Sequence, residues 1–197
     1  MATINSVLGE IDSKDLGFTL MHEHVMVAAS GLSIHYPDLL GPNREERAIE
    51  CLKTAKAHGI DTMLDATTFD LGRDPALLKT VAKASGVNLI NVTGWWLDVP
   101  RFMQGVGANQ MADEFIKDLT EGFRGTDIKA GMLKCAADFE GVTPPLETMA
   151  RAVARAHLQT GVPIMVHSYP TGQVARRQIA IFKEAVSYTH LTLPTMY

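Results

Sequence analysis

Only two cysteines, Cys51 and Cys135, occur in 197 residues, and no CxxC spacing accompanies them. Neither a disulfide framework nor a zinc knuckle is therefore encoded. The expected state of both is a small buried thiol in a reducing compartment. Long apolar runs are also missing, since none approaches the ~20 residues that a bilayer-spanning helix needs. The N-terminus has no basic segment followed by an apolar stretch, so no membrane partner and a cytoplasmic location are the expectations. Positive charge is short as well, with 18 Lys and Arg against 22 Asp and Glu, and the basic residues are scattered rather than striped. That balance argues against a nucleic-acid partner.

What is present is the composition of one globular core, 46% hydrophobic and 20% charged. Short apolar runs alternate with longer amphipathic stretches, the pattern of an α/β fold with a helix-covered parallel sheet. The first strand is expected to end at His22 to His24. A helix fits Arg44 to His58, capped by Asn43 and stopped by Gly59, with Ala48, Cys51, Leu52 and Ala55 on its core face. Thr62 to Asp65 reads as a second strand, and Asp74 with Pro75 opens a helix running to about Ala84. Asn88 to Thr93, Ala130 to Cys135 and Pro163 to His167 read as strands three, four and five. Helices over Asn109 to Gly122, Pro145 to Thr160 and Thr171 to Ala185 follow them.

Five strand-helix units are what a TIM-type (β/α)8 barrel shows over its first five units, and such barrels run to about 250 residues. Residues 1–185 are therefore read as the N-terminal portion of a (β/α) barrel. Residues 186–197, which carry no Asp, Glu, Lys or Arg, do not resemble a sixth unit and are read as a non-native or divergent tail. His190 lies within that tail and is not taken as a ligand.

The chemistry concentrates at strand ends. His22 and His24 are two residues apart on a strand, so they share a face and can converge on one metal ion. Lys134 sits inside the apolar run Met132-Leu133-Lys134-Cys135-Ala136-Ala137, where an ammonium is costly without a partner. His167 ends strand five, so all four groups fall at the C-terminal rim, where barrels build their active sites. Nearby positive charge lowers the lysine pKa, and a neutral amine can react with carbon dioxide to give a carbamate able to bridge two metals.

The segment Gly17-Phe18-Thr19-Leu20-Met21-His22-Glu23-His24 resembles the N-terminal signature of the phosphotriesterase family within the amidohydrolase superfamily. Further similar segments follow in the family's order: Leu64 to Asp74, Asn91 to Trp96, Ala130 to Cys135 and Gly161 to His167. The resemblance implies a binuclear hydrolase with two divalent metal ions, zinc foremost, bridged by a hydroxide and by carboxylated Lys134. His22, His24 and Lys134 would bind the more buried metal, while Lys134 and His167 would begin the more exposed one. The family's remaining ligands, a histidine after strand six and an aspartate after strand eight, have no counterpart in this sequence. A weakly active or inactive copy is the consequence, because that aspartate also accepts the proton in the family's reaction.

The resemblance further implies a small-molecule ester substrate: a phosphotriester, a lactone or a carboxyl ester. Trp96 matches an aromatic of the family's substrate pocket, with Trp95 and Tyr169 beside it as further candidates. Asp65 ends strand two on the same rim and is read as an outer partner that orients a ligand histidine. His58 and His157 close helices, and His35 lies in the loop after strand one. A homodimer is compatible with the sequence, which carries nothing that fixes an oligomeric state. Two other readings stand beside the main one. The first is a non-catalytic metal-binding half-barrel that needs a partner, and the second is a hydrolase from another amidohydrolase branch.

Overall fold

A β-hairpin that the hydrophobic pattern does not announce opens the chain, β1 (Thr3–Ser6) pairing antiparallel with β2 (Gly9–Asp12). The computed structural model describes residues 2–185, so the expected tail of residues 186–197, with His190, lies outside the described residues. After the hairpin come β3 (Thr19–Glu23), α1 (Leu32–His35), α2 (Arg44–Ala57), β4 (Thr62–Asp65), α3 (Pro75–Ser85) and β5 (Asn88–Gly94). The order continues through α4 (Ala108–Thr120), β6 (Met132–Ala137), α5 (Pro144–Thr160), β7 (Ile164–Ser168) and α6 (Val174–Glu184). Strands β3 to β7 form one sheet in sequence order, every pair parallel, which is five consecutive units of a (β/α) barrel.

Local chemistry explains the element ends. Asp74 accepts a hydrogen bond from the Leu77 N–H, with Pro75 in the first turn of α3, and Gly86 closes that helix in the left-handed region. The expected Asn43 cap differs, because Asn43 itself takes a left-handed conformation and its side chain caps nothing. Within α2, Ala48 and Leu52 are buried whereas Cys51 is exposed, which corrects the expectation of two buried thiols. Cys135 is buried, and burial pushes its thiol up to about 12, so it stays protonated at neutral pH.

The sheet has two differently filled faces. Its outer face packs on the helices through Met63, Leu89, Leu133 and Cys135, against Val81, Met111, Phe115, Met149, Val153 and Ile181. Burying each such aliphatic or aromatic side chain stabilises the fold by roughly 1.5–3 kcal/mol. The inner face is narrower: Leu64, Ala66, Ile90 and Val92, with Met132 and Met165 beside them. Ile4 and Leu16 pack onto this inner cluster from the N-terminal segment. Hydrogen bonds anchor the hairpin there, the Asn5 amide donating to Leu119 O (3.0 Å) and Ala130 O (2.9 Å), and Val7 N–H to Leu89 O. The hairpin thus covers the end of the sheet opposite the strand C-termini. Among the described residues, no helix is long and apolar enough to cross a membrane.

Gly131 makes that closure fit, since a Cβ there would lie 2.4 Å from Asn5 O and 2.7 Å from Ile90 Cγ2. Gly131→Ala is expected to destabilise the fold by about 2–3 kcal/mol through overpacking. Urea denaturation checks this, and an unchanged midpoint would show that the hairpin contributes nothing to holding the sheet.

Candidate metal centre

A β-bulge in β3 aims the first two candidate ligands. Leu20 pairs with Met63 and Glu23 with Asp65, so Met21 and His22 together stand opposite Leu64 alone. Without that extra residue, strict alternation would send His22 to the same face as Leu20, which packs into the helix layer. With it, Leu20 stays outside while His22 and His24 turn to the inner face.

There they meet Lys134. Alternation along β6 puts Leu133 among the helices and Lys134 on the inner face, where its side chain is 1% exposed. Its Nζ lies 2.8 Å from His22 Nε2 and 3.5 Å from Met165 Sδ, and among the described residues no carboxylate pairs with it. Burial lowers the Lys134 pKa from the ordinary 10.5 to about 8. His167 on β7 completes the group, with ring centroids 6.3 Å from His22, while His22 and His24 are 6.0 Å apart. His22 falls to about 4, chiefly through loss of water around the ring and then through the positive charge of Lys134, His24 and His167. His24 and His167 are lowered by the same two effects in the same order.

His24 has a second anchor. Its Nδ1 lies 2.8 Å from Thr67 Oγ1, and that hydroxyl donates to the buried Asp65 carboxylate, which also accepts the Thr67 N–H at 3.0 Å. The hydroxyl proton is spent on Asp65, so Thr67 accepts from His24 Nδ1–H, and Nε2 keeps the free lone pair. Asp65 therefore orients His24 through Thr67 rather than by direct contact. Burial raises the Asp65 carboxyl to about 6 against the pull of these hydrogen bonds. Thr67 lies in the Leu64 to Asp74 segment after β4, where a lone hydroxyl residue carries no sequence signal of this role.

The aromatic candidates separate. Trp95 is buried against Phe115 of α4, ring centroids 4.9 Å apart, so it belongs to the helix layer and not to the rim. Trp96 turns the other way and sets its ring 6.2 Å from His167, nearly edge to face. Tyr169 is exposed, and its backbone N–H donates to Ala137 O. Two further rim features escaped sequence reasoning. The Asp138 carboxylate lies 3.9 Å from His167 Nε2, and Gly94 ends β5 with φ 116°, where a Cβ would sit 1.9 Å from Lys134 O. His58 and His157 bond backbone carbonyls at helix ends, and His35 lies in α1 beside Tyr36.

Three imidazoles around an amine, with no acid among them to neutralise it, form a donor set suited to a borderline cation. Among the described residues, no three His, Cys, Asp or Glu side chains could hold a metal ion by themselves. Lys134 is the one further basic group in the cluster, its Nζ within hydrogen-bond distance of His22 Nε2.

Five parallel strand-helix units with this basic cluster at their C-terminal rim are the first part of a (β/α) barrel. The sequence pattern of the phosphotriesterase family matches residues 2–191, and the chain belongs to that family. The match runs into the segment 186–197. A phosphotriesterase homology protein of Mycobacterium tuberculosis is 39% identical over 195 residues, covering 93% of this chain and 60% of that protein. An aryldialkylphosphatase of Saccharolobus solfataricus is also 39% identical, over 88% of this chain and 56% of its own length. Human N-acetyltaurine hydrolase is 26% identical over 92% of this chain. The chain thus spans about 60% of the length of the curated relatives it matches.

Because the folded pKa of His22 lies below the ordinary 6.5, the unfolded chain binds the extra proton first. The metal-free protein should therefore lose stability as pH falls from about 6.5 towards 4. Proton NMR of the imidazole C–H signals should find one ring still neutral at pH 5, absent in His22→Gln. A set of seven rings all titrating near 6.5 would contradict the packed basic cluster.

Proposed function

We propose that this rim is the larger part of a binuclear metal centre of an ester hydrolase, with His22, His24, Lys134 and His167 as ligands. The observation that carries the reading is the buried Lys134 amine, facing His22 and lacking any acidic partner among the described residues. An amine whose pKa is near 8 is partly neutral at physiological pH, so it can add to carbon dioxide. The new N–C bond gives a carbamate and releases one proton. The product is an anion with two oxygens, which replaces an uncompensated buried cation and can reach two metal ions. Zinc suits imidazole and carboxylate-type oxygen donors.

When bound, the metal supplies Lewis acidity to a phosphoryl or carbonyl oxygen and activates water for attack. The chain's own residues do the rest. Asp65 and Thr67 fix the His24 tautomer so that Nε2 faces the centre. Trp96 places an aromatic face beside His167, a wall suited to an aryl or other apolar group of a neutral ester. That wall favours the phosphotriester, lactone and carboxyl ester class, in keeping with likeness to an aryldialkylphosphatase. A cytoplasmic setting, where Cys51 and Cys135 remain free thiols, fits the same reading.

Two other readings have observations behind them. Likeness to N-acetyltaurine hydrolase favours amide hydrolysis at the same centre. The outer positions of β3 and β7 in the described sheet favour a half-barrel that binds metal without turnover until a partner covers those edges.

Equilibrium dialysis against zinc in bicarbonate buffer should load about two equivalents on the chain, with labelled bicarbonate giving a carbamate carbon signal, as expected for a bridged two-metal site. Lys134→Met should remove that signal and weaken metal retention by at least about tenfold. Equal metal content in both proteins would overturn the reading. Paired ester and amide substrates with the same aryl group then separate the activities, since faster cleavage of the ester is expected and exclusive amide cleavage would reassign the class.

A further inference from the structure

The loop that carries Trp96 is held by one carboxylate. Asp70 lies in a single helical turn, Phe69–Leu71, after β4, while Trp96 follows β5. The Trp96 N–H reaches both Asp70 oxygens, at 3.0 and 3.1 Å, and the same carboxylate accepts the N–H groups of Leu97 (3.0 Å) and Asp98 (3.1 Å). The Thr68 hydroxyl also donates to it, at 2.5 Å. Three successive backbone N–H groups aimed at one anion form a nest, and charge-assisted bonds of this kind are about twice as strong as neutral ones. The bonds begin at Trp96, two residues beyond Gly94, whose positive φ and close approach to Lys134 O leave no room for a side chain. Trp95 and Trp96 therefore diverge at a fixed point, one ring into the helix layer and the other towards His167.

We propose that Asp70 is a positioning residue that sets where the Trp96 ring stands over the candidate metal centre and so sets the width of the substrate pocket. The proposal rests on the reading of that rim as a hydrolase site, although the anchoring itself does not depend on a metal. A carboxylate serves better than a neutral acceptor here because five hydrogen bonds from four donor groups converge on its two oxygens. Asp70→Asn keeps the shape but loses the charge and one acceptor, while Asp70→Ala loses every bond.

The test uses the full chain carrying Trp95→Phe, which leaves Trp96 as the sole tryptophan, since the sequence has two. Iodide quenching of Trp96 fluorescence, without metal, reads how firmly the ring is held. The quenching constant is expected to rise about twofold in Asp70→Asn and further in Asp70→Ala, as lost charge-assisted bonds free the loop. A melting curve accompanies each variant. Lower melting temperature with unchanged quenching would mean that Asp70 only stabilises the fold, and that result overturns the proposal. Should Asp70→Ala fail to fold, Asp70→Asn decides alone. Cobalt(II) added to the same proteins should quench Trp96 in the parent and quench it less in the Asp70 variants. Failure of the parent to bind cobalt would count against the metal reading, while the iodide result still decides the role of Asp70.

Discussion

Everything at the rim turns on a lysine amine placed where water cannot reach it and where, among the described residues, no carboxylate answers it. A fully charged ammonium in that position costs several kcal/mol or shifts its pKa, and Lys134 takes the second course. The three imidazoles around it respond in kind, each held more readily neutral than an ordinary histidine. Packing these basic groups together disfavours adding a proton to any of them, and one hydrogen bond, Lys134 Nζ to His22 Nε2 at 2.8 Å, joins the amine to a ring. The fold supports this arrangement with two packed layers, one of helices behind the sheet and one of apolar side chains capped by the N-terminal hairpin.

Most of the strand and helix order was legible because parallel strands covered by helices leave an unambiguous alternation of short apolar and long amphipathic runs. The helix over Pro144–Thr160 follows from Leu146, Met149 and Val153, all buried. The hairpin β1–β2 was not legible, since four-residue strands such as Thr3–Ser6 and Gly9–Asp12 carry too little periodicity to stand out. Cys51 departs from its expected place on the core face for a related reason. Only one narrow stripe of α2, including Ala48 and Leu52, faces the core, and a small residue one position off that stripe is solvent-exposed.

At the site, the spacing of His22 and His24 gave their shared face, but the reason they face inward is a bulge. Pairing register is a tertiary property, and nothing in Leu20-Met21-His22 reports an extra residue opposite Leu64. Adjacent tryptophans posed the same difficulty. Sequence placed both near the rim, whereas consecutive side chains leave a strand end in opposite directions, so only Trp96 reaches His167. Thr67 and Asp70 act through a hydroxyl and through backbone N–H groups, contacts that no residue pattern encodes. Asp138 shows the converse, a carboxylate beside His167 that the strand pattern places just past β6.

The most direct measurement is the titration of the Lys134 side chain by nitrogen-15 NMR in selectively labelled, metal-free and carbonate-free protein. One lysine should titrate near 8, and its signal should vanish in Lys134→Met. If every lysine instead titrates above about 10, near the ordinary value, Lys134 is a hydrated or paired ammonium. The basic cluster would then not be a ligand set awaiting a metal.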